Sequence, residues 1–323
     1  MHDVRSISKT GAVCLPESQR CSSRVSKRLI EVAALRRQNQ LTGELYQVAQ
    51  ALILCGLPYQ PSALNKITRS ARLADGTRLQ VTFSASLDTG LPYGSDRSVL
   101  HFLLDKAVKA RSPFVTWKTA SQFLEAMGMQ QGGKNRRDLR ERYLRIRGLT
   151  IAVQRTSSGT SETQIMPVIK RSRLPTSISP CPGNDRLGQE ALKHSGDDLG
   201  LEIDAEFFAE LVAHPVVVPV ELIRATRGKP QLQDMVLFLY WRCFAARSLS
   251  VIPWRELRMQ LWQADTNLPR IRSRFAVAIR ALQTLWPEMR ASAESKGLVV
   301  GPPAEGRCFT EAGQTSRRDA FSG

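Results

Sequence analysis

Apolar residues recur along this chain with two different periods, and the switches between them mark most of its elements. Val25, Leu29, Val32 and Leu35 fall at helical spacing, and Leu45, Val48, Leu52 and Cys55 repeat it until Gly56 and Pro58, so the pattern predicts helix over much of 24–55. The period then shortens to two. Residues 66–73 and 77–84, with Leu79, Val81 and Phe83 alternating, flank Asp75-Gly76, a strong hairpin signal. A helical stripe returns at Val99, Leu100, Leu103, Leu104, Ala107 and Val108, with Ser95 or Asp96 placed to cap its first turn. Phe114, Val115 and Thr116 make a short extended link. Thr119-Ala-Ser-Gln122 resembles a capping box for a second helix that buries Phe123, Leu124 and Met127 and stops at Gly128. After Gly132-Gly133 a third helix carries Leu139, Tyr143 and Ile146 on one face, and strands follow at 149–154 and 164–169.

The second half repeats this plan. Residues 172–198, rich in Pro and Gly with few apolar positions, separate the halves as a linker. Leu199 to Ile203 fits a strand and 205–213 a helix with Phe207, Phe208 and Leu211 inward. Stripes follow through Leu222 and Ile223, then Met235, Val236, Leu239, Tyr240 and Cys243. Ile252-Pro253-Trp254 repeats the extended link seen before Trp117. A helix with Leu257, Gln260 and Leu261 comes next, then a longer one with Ile271, Phe275, Ala278, Ile279, Leu282 and Trp286, and Gly297 to Val300 reads as a strand. Three helices and a hairpin, twice over, is the winged-helix order. The expected fold is therefore α+β, with tandem winged-helix domains bearing small β-hairpin wings. It divides into a basic N-terminal arm and helical segment (1–61), a first winged unit (62–171), the linker (172–198), a second winged unit (199–303) and a disordered tail (304–323).

Charge decides what such a fold would bind. The 323 residues hold 46 Lys and Arg against 29 Asp and Glu, a formal +17 that would be costly in self-repulsion without a polyanionic partner, and nucleic acid is the leading class. The densest basic run is Lys134 to Arg147, where Arg136, Arg147, Arg140 and Arg137 fan along one flank of the apolar stripe. Asp138 and Glu141 can pair with arginines a turn away, which would make this only a solvated charged face. The second copy carries Arg270, Arg272, Arg274 and Arg280 at equivalent places, and that repetition favours DNA. The expected DNA-binding set is Lys134, Arg136, Arg137, Arg140, Arg147, Arg270, Arg272, Arg274 and Arg280.

Other chemistries find little support. Gly128 to Asn135 nearly spells a phosphate-binding loop, but a helix precedes it and Asn135 replaces the magnesium-binding hydroxyl. Cys14, Cys21, Cys55, Cys181, Cys243 and Cys308 are scattered, as are His2, His101, His194 and His214, so no metal site and no histidine-metal nicking centre is expected. No enzyme activity and no cofactor is expected. Trp117, Tyr143, Trp241, Trp254 and Trp286 lie on or beside apolar stripes and are expected in the core rather than against bases. No apolar run reaches the eighteen or so residues of a membrane span, and a cytoplasmic location is expected.

Gly90-Leu-Pro-Tyr-Gly-Ser-Asp-Arg97 before an apolar helix, Gly132-Gly133 before an arginine-rich one, and the later Pro215-Val, Tyr240-Trp-Arg242 and Ile252-Pro-Trp254 elements together resemble the plasmid RepA replication-initiator family over about 91–303. The resemblance implies a protein that binds repeated origin DNA (iterons), helps open the duplex and recruits a host replication initiator and replicative helicase. It also implies a dimer–monomer equilibrium. A winged-helix transcriptional regulator binding its own operator is the alternative that the residues leave open.

Overall fold

Helix α1 (Ser23–Arg37) opens the computed structural model, which describes residues 23–38, 40–73, 75–85, 89–173, 199–261 and 267–304. Leu29 and Val32 bury as their spacing predicts, whereas Leu35 stays 39% exposed. The second apolar run departs from the expected helix. Leu45–Ala49 is strand β1, and only Gln50–Leu54 (α2) is helical. Tyr46 and Val48 are both buried, two residues apart, and β1 pairs antiparallel with β9 (Pro215–Pro219), setting Tyr46 opposite Val218 and Val48 opposite Val216. Leu45, Val48 and Leu52 fit a helix well enough, but Tyr46 supplies the alternate position that a distant partner strand selects.

Strands β2 (Lys66–Arg72) and β3 (Arg78–Ala85) form the hairpin that Asp75-Gly76 signals. Asp75 Oδ1 accepts from Thr77 N at 2.9 Å, and Gly76 takes φ +88°, where a side chain would be strained. Helix α3 (Asp96–Lys109), strand β4 (Phe114–Trp117), helices α4 (Ala120–Ala126) and α5 (Gly133–Arg147), and strands β5 (Leu149–Ser157) and β6 (Thr160–Pro167) follow in the expected order. The capping box forms: Thr119 Oγ1 accepts from Gln122 N at 3.1 Å, and Gln122 Oε1 accepts from Lys118 N at 2.8 Å. Ser95 makes no side-chain cap on α3, and the Asp96 carboxylate accepts from Tyr93 N at 3.0 Å instead.

The hairpin after α5 is not a free wing. Strand β5 also pairs with β3, giving a sheet of order β2-β3-β5-β6 in which buried Val81 faces Val153 and Phe83 faces Ile151. Strand β4 pairs instead with β8 (Leu199–Ile203), which lies between β4 and β7 (Ile169–Arg173). Residues 199–203, expected to open the second unit, run their backbone hydrogen bonds to β4 and β7. Leu201 and Ile203 are buried there, and a buried strand needs partners on both sides. Strand β7 takes in residues 172 and 173 of the expected linker. The remainder of that linker, the arm over 1–22 and the tail from 305 onward lie outside the described residues, and Ala304 donates its N–H to Glu288 O at 2.7 Å.

Helix α6 (Ala205–Ala213) is capped by Asp204, whose Oδ1 accepts from Glu206 N at 3.0 Å. Helices α7 (Val220–Thr226) and α8 (Pro230–Ala245), strand β10 (Ser250–Pro253), helices α9 (Trp254–Leu261) and α10 (Leu268–Leu285), and strands β11 (Arg290–Ala293) and β12 (Gly297–Gly301) complete the described chain. The protein is thus a mixed helix-and-sheet fold in which helix, strand, helix, helix and hairpin occur twice, from α3 to β6 and from α8 to β12. The copies differ in pairing: β10 bonds to β12 of its own hairpin, whereas β4 borrows β8.

One continuous apolar core runs through both halves, from Leu29 to Val300. Trp286 is fully buried and Trp254 and Tyr143 nearly so, while Trp117 and Trp241 pack partly buried against the same core. A buried charge pair also ties the halves together. Arg97 of α3 donates to the Asp234 carboxylate of α8, to Leu57 O and Pro58 O at 2.8 Å each, and through Nε to Gly94 O at 2.8 Å. Its guanidinium lies 4.5 Å from the Tyr59 ring, and the Tyr59 hydroxyl reaches Asp234 Oδ2 at 3.1 Å.

Candidate nucleic-acid interface

Helix α5 has two flanks with different fates. Leu139, Tyr143 and Ile146 bury its apolar stripe, and on one side of it Arg145 clamps Asp96 with two bonds, Nε to Oδ2 at 2.6 Å and Nη2 to Oδ1 at 3.1 Å. Arg142 stands 3.8 Å from the same carboxylate, and Arg145 stacks 4.7 Å from the Tyr93 ring. Burial would pull the Arg145 guanidinium down, but the Asp96 carboxylate outweighs it and holds that group above its ordinary value. Arg142 and Arg145 are therefore positioning residues, and the sequence did not single them out. The signal lies in Asp96, whose local sequence fits a helix cap.

The other flank is available to a ligand. Arg136, Arg137 and Arg147 there are exposed and Arg140 is half-buried, and Lys134 is exposed in the first turn of the helix. Arg136 Nη2 donates to Ser121 Oγ of α4 at 2.9 Å, which holds its guanidinium beside the helix entry. Arg140 Nε is buried with no hydrogen-bond partner among the described residues. The competing idea that Asp138 and Glu141 neutralise this face finds no ion pair: among the described residues neither carboxylate has a basic nitrogen within 4 Å. Asn135 Nδ2 donates to Gln130 O at 2.7 Å, so the residue in the hydroxyl position of the near phosphate loop closes a turn instead.

The four arginines of α10 separate. Ile271, Phe275, Ala278, Ile279 and Leu282 face the core. Arg270 is exposed in the first turn, where Asn267 Oδ1 accepts from its N–H at 3.0 Å. Arg272 is exposed yet tied by Nε to Ala293 O of β11 at 3.2 Å, linking helix to hairpin. Arg280 is exposed further along. Arg274 is half-buried and, two residues on, lies about 200° around the helix from Arg272. A groove of about 480 Å³ runs between α10 and the β11–β12 turn, lined by Trp254, Leu268, Pro269, Arg272, Ser273 and Ala293 among others.

Among the described residues there is no cluster of three His, Cys, Asp or Glu able to hold a metal ion, and no helix long and apolar enough to cross a membrane. Cys55 and Cys243 are buried thiols, and burial pushes each up to about 12, so both stay protonated.

The chain matches no family model, and no curated protein matches it. It is similar to two solved structures of RctB. The crystal structure of RctB domains 2-3 (RctB-155-483) is 16% identical with a TM-score of 0.43, covering 77% of this chain and 94% of that one. The SeMet derivative of domains 2 and 3 of RctB is 16% identical with a TM-score of 0.45, covering 79% and 95%.

Proposed function

We propose that the protein is a DNA-binding replication initiator of the plasmid RepA type. In this reading α3 to β6 and α8 to β12 are two winged-helix units on one duplex, with α5 and α10 as their groove-facing helices. The observation that carries it is the repetition itself: the third helix of each copy exposes arginines on a face that its apolar stripe leaves free. Phosphate contacts by Lys134, Arg136, Arg137 and Arg147 would position the first unit, and Arg270, Arg272 and Arg280 the second, with bidentate arginine–guanine contacts adding discrimination of about 1 to 3 kcal/mol each. The mechanism is binding and duplex distortion rather than bond chemistry, and recruitment of host initiator and helicase would follow opening.

Footprinting on the DNA flanking the gene tests the reading, with protection of a repeated sequence expected. Absence of any protected repeat overturns the origin-binding role. Permanganate reactivity of an AT-rich segment beside the bound repeats separates an initiator from an operator-binding regulator, because only the initiator leaves unpaired thymines.

A further inference from the structure

A second basic cluster involves residues outside both arginine-rich helices. Arg28 of α1 donates from Nη2 to Arg227 O at 2.7 Å, at the C-terminal end of α7. Arg227 in turn donates from Nη1 to Gly128 O at 2.8 Å, at the turn from α4 into α5. Gly128 has φ +62° and no side chain, and a Cβ there would meet the Arg227 guanidinium at 2.8 Å, so the glycine is what lets this arginine lie over the turn. Helix α1 also packs against α10 and α7. The cluster therefore touches the entry to one arginine-rich helix and rides on an element packed against the other.

Its charge is not balanced. Arg224, one turn before Arg227, has Glu44 at 3.3 Å, and Glu44 is shared with Lys109 at 3.3 Å. Among the described residues neither Arg28 nor Arg227 has a carboxylate within 4 Å. The carbonyls that orient them belong to helix ends, each carrying only about half a negative charge. Partial burial, then the nearby Arg28 and Arg224 charges, hold the Arg227 guanidinium below its ordinary value. Arg28 Nε is buried with no partner among the described residues, while Arg227 remains exposed. Two oriented guanidinium groups with no counter-charge among the described residues suit a phosphodiester backbone.

We propose that Arg28 and Arg227 form a third contact to the DNA backbone, seated at the junction of the two units. This rests on the reading that both units bind one duplex. The plain alternative is a clasp that holds α1, α4 and α7 together.

The test is equilibrium binding of the full chain to a duplex from the DNA flanking its gene, across a potassium chloride series. In the Arg28→Gln/Arg227→Gln variant, glutamine keeps a donor for the carbonyls but removes the charge, and the salt slope should fall by about 1.8, at about 0.9 per lost phosphate contact. The Arg28→Lys/Arg227→Lys variant should keep the wild-type slope, and the unfolding midpoints of all three should agree. An unchanged slope in the glutamine variant, with Arg136→Ala lowering it, overturns the junction contact and leaves the DNA reading intact. A lower midpoint with weaker binding at unchanged slope identifies a clasp and also overturns it. If the wild-type chain binds no duplex at any salt, the underlying DNA reading falls and this contact with it.

Discussion

Arg97 and Asp234 carry opposite charges into a part of the core where neither could stay alone. Arg97 is 2% exposed, and three backbone carbonyls complete its hydrogen bonding. Removing one partner leaves the other charge uncompensated, so Asp234→Asn should cost about 3 to 5 kcal/mol in urea unfolding, with a loss under 1 kcal/mol arguing against this account. Arg69 of β2 presents the opposite case, being 5% exposed with Nε and Nη1 buried and partnerless. Arg69→Met is expected to stabilise the fold by about 1 to 2 kcal/mol, read as a higher denaturation midpoint. His101 gives a pH dependence. Burial, then the Arg97 charge, lower it from 6.5 to about 3, so the folded state keeps it neutral. Because the unfolded chain binds that proton first, stability is full above about pH 6.5 and falls as pH drops toward 3, by on the order of 1 kcal/mol at pH 5.5. Denaturation at pH 7.5 and 5.5 should show this difference, and His101→Gln should shrink it.

At the scale of the element, α5 carries two sets of arginines with different surroundings. Arg142 and Arg145 fix it to Asp96, while Arg136, Arg137, Arg140 and Arg147 lie elsewhere on its surface. These roles should separate in one experiment. Asp96→Asn is expected to lower the unfolding midpoint and weaken DNA binding without altering its salt slope, because no phosphate contact is lost. Arg137→Ala should leave the midpoint within a degree or two and lower the slope by about 0.9. If Asp96→Asn changed the slope and Arg137→Ala did not, the two flanks would have to be exchanged. The composition and rhythm of α5 were plain in the sequence. Which arginines lock the helix was not, because Asp96 sits far away on the chain and its local signature is that of a cap.

For the whole molecule, the strand pairings cross the expected unit boundaries in two places. Strand β8 completes a sheet with β4 and β7, and β1 pairs with β9. A fragment covering 62–171 would leave β4 and β7 without the strand that lies between them, and it would lack the Leu57 and Pro58 carbonyls and Asp234 that hold Arg97. Such a fragment is expected not to fold cooperatively, whereas 23–304 should give a single thermal transition followed by circular dichroism. A sharp independent transition in 62–171 would show that the halves are separable.

The sequence by itself determined what local chemistry can decide. Asp75-Gly76 specified a turn, Thr119 and Gln122 a helix start, and the spacing of Ile271, Phe275, Ala278, Ile279 and Leu282 a buried helix face. The repeated order of elements and the basic character of both third helices also follow from spacing and charge alone. Only the tertiary structure decided the rest. Leu45 to Cys55 fits two periods, and the distant β9 selected strand for its first part. The hairpin after α5 was legible as a hairpin, but its incorporation beside β3 was not, because sheet partners far apart in sequence leave no mark within either strand. The same holds for Arg28 and Arg227: a basic residue looks alike in sequence whether it faces solvent or a carbonyl at the end of another helix.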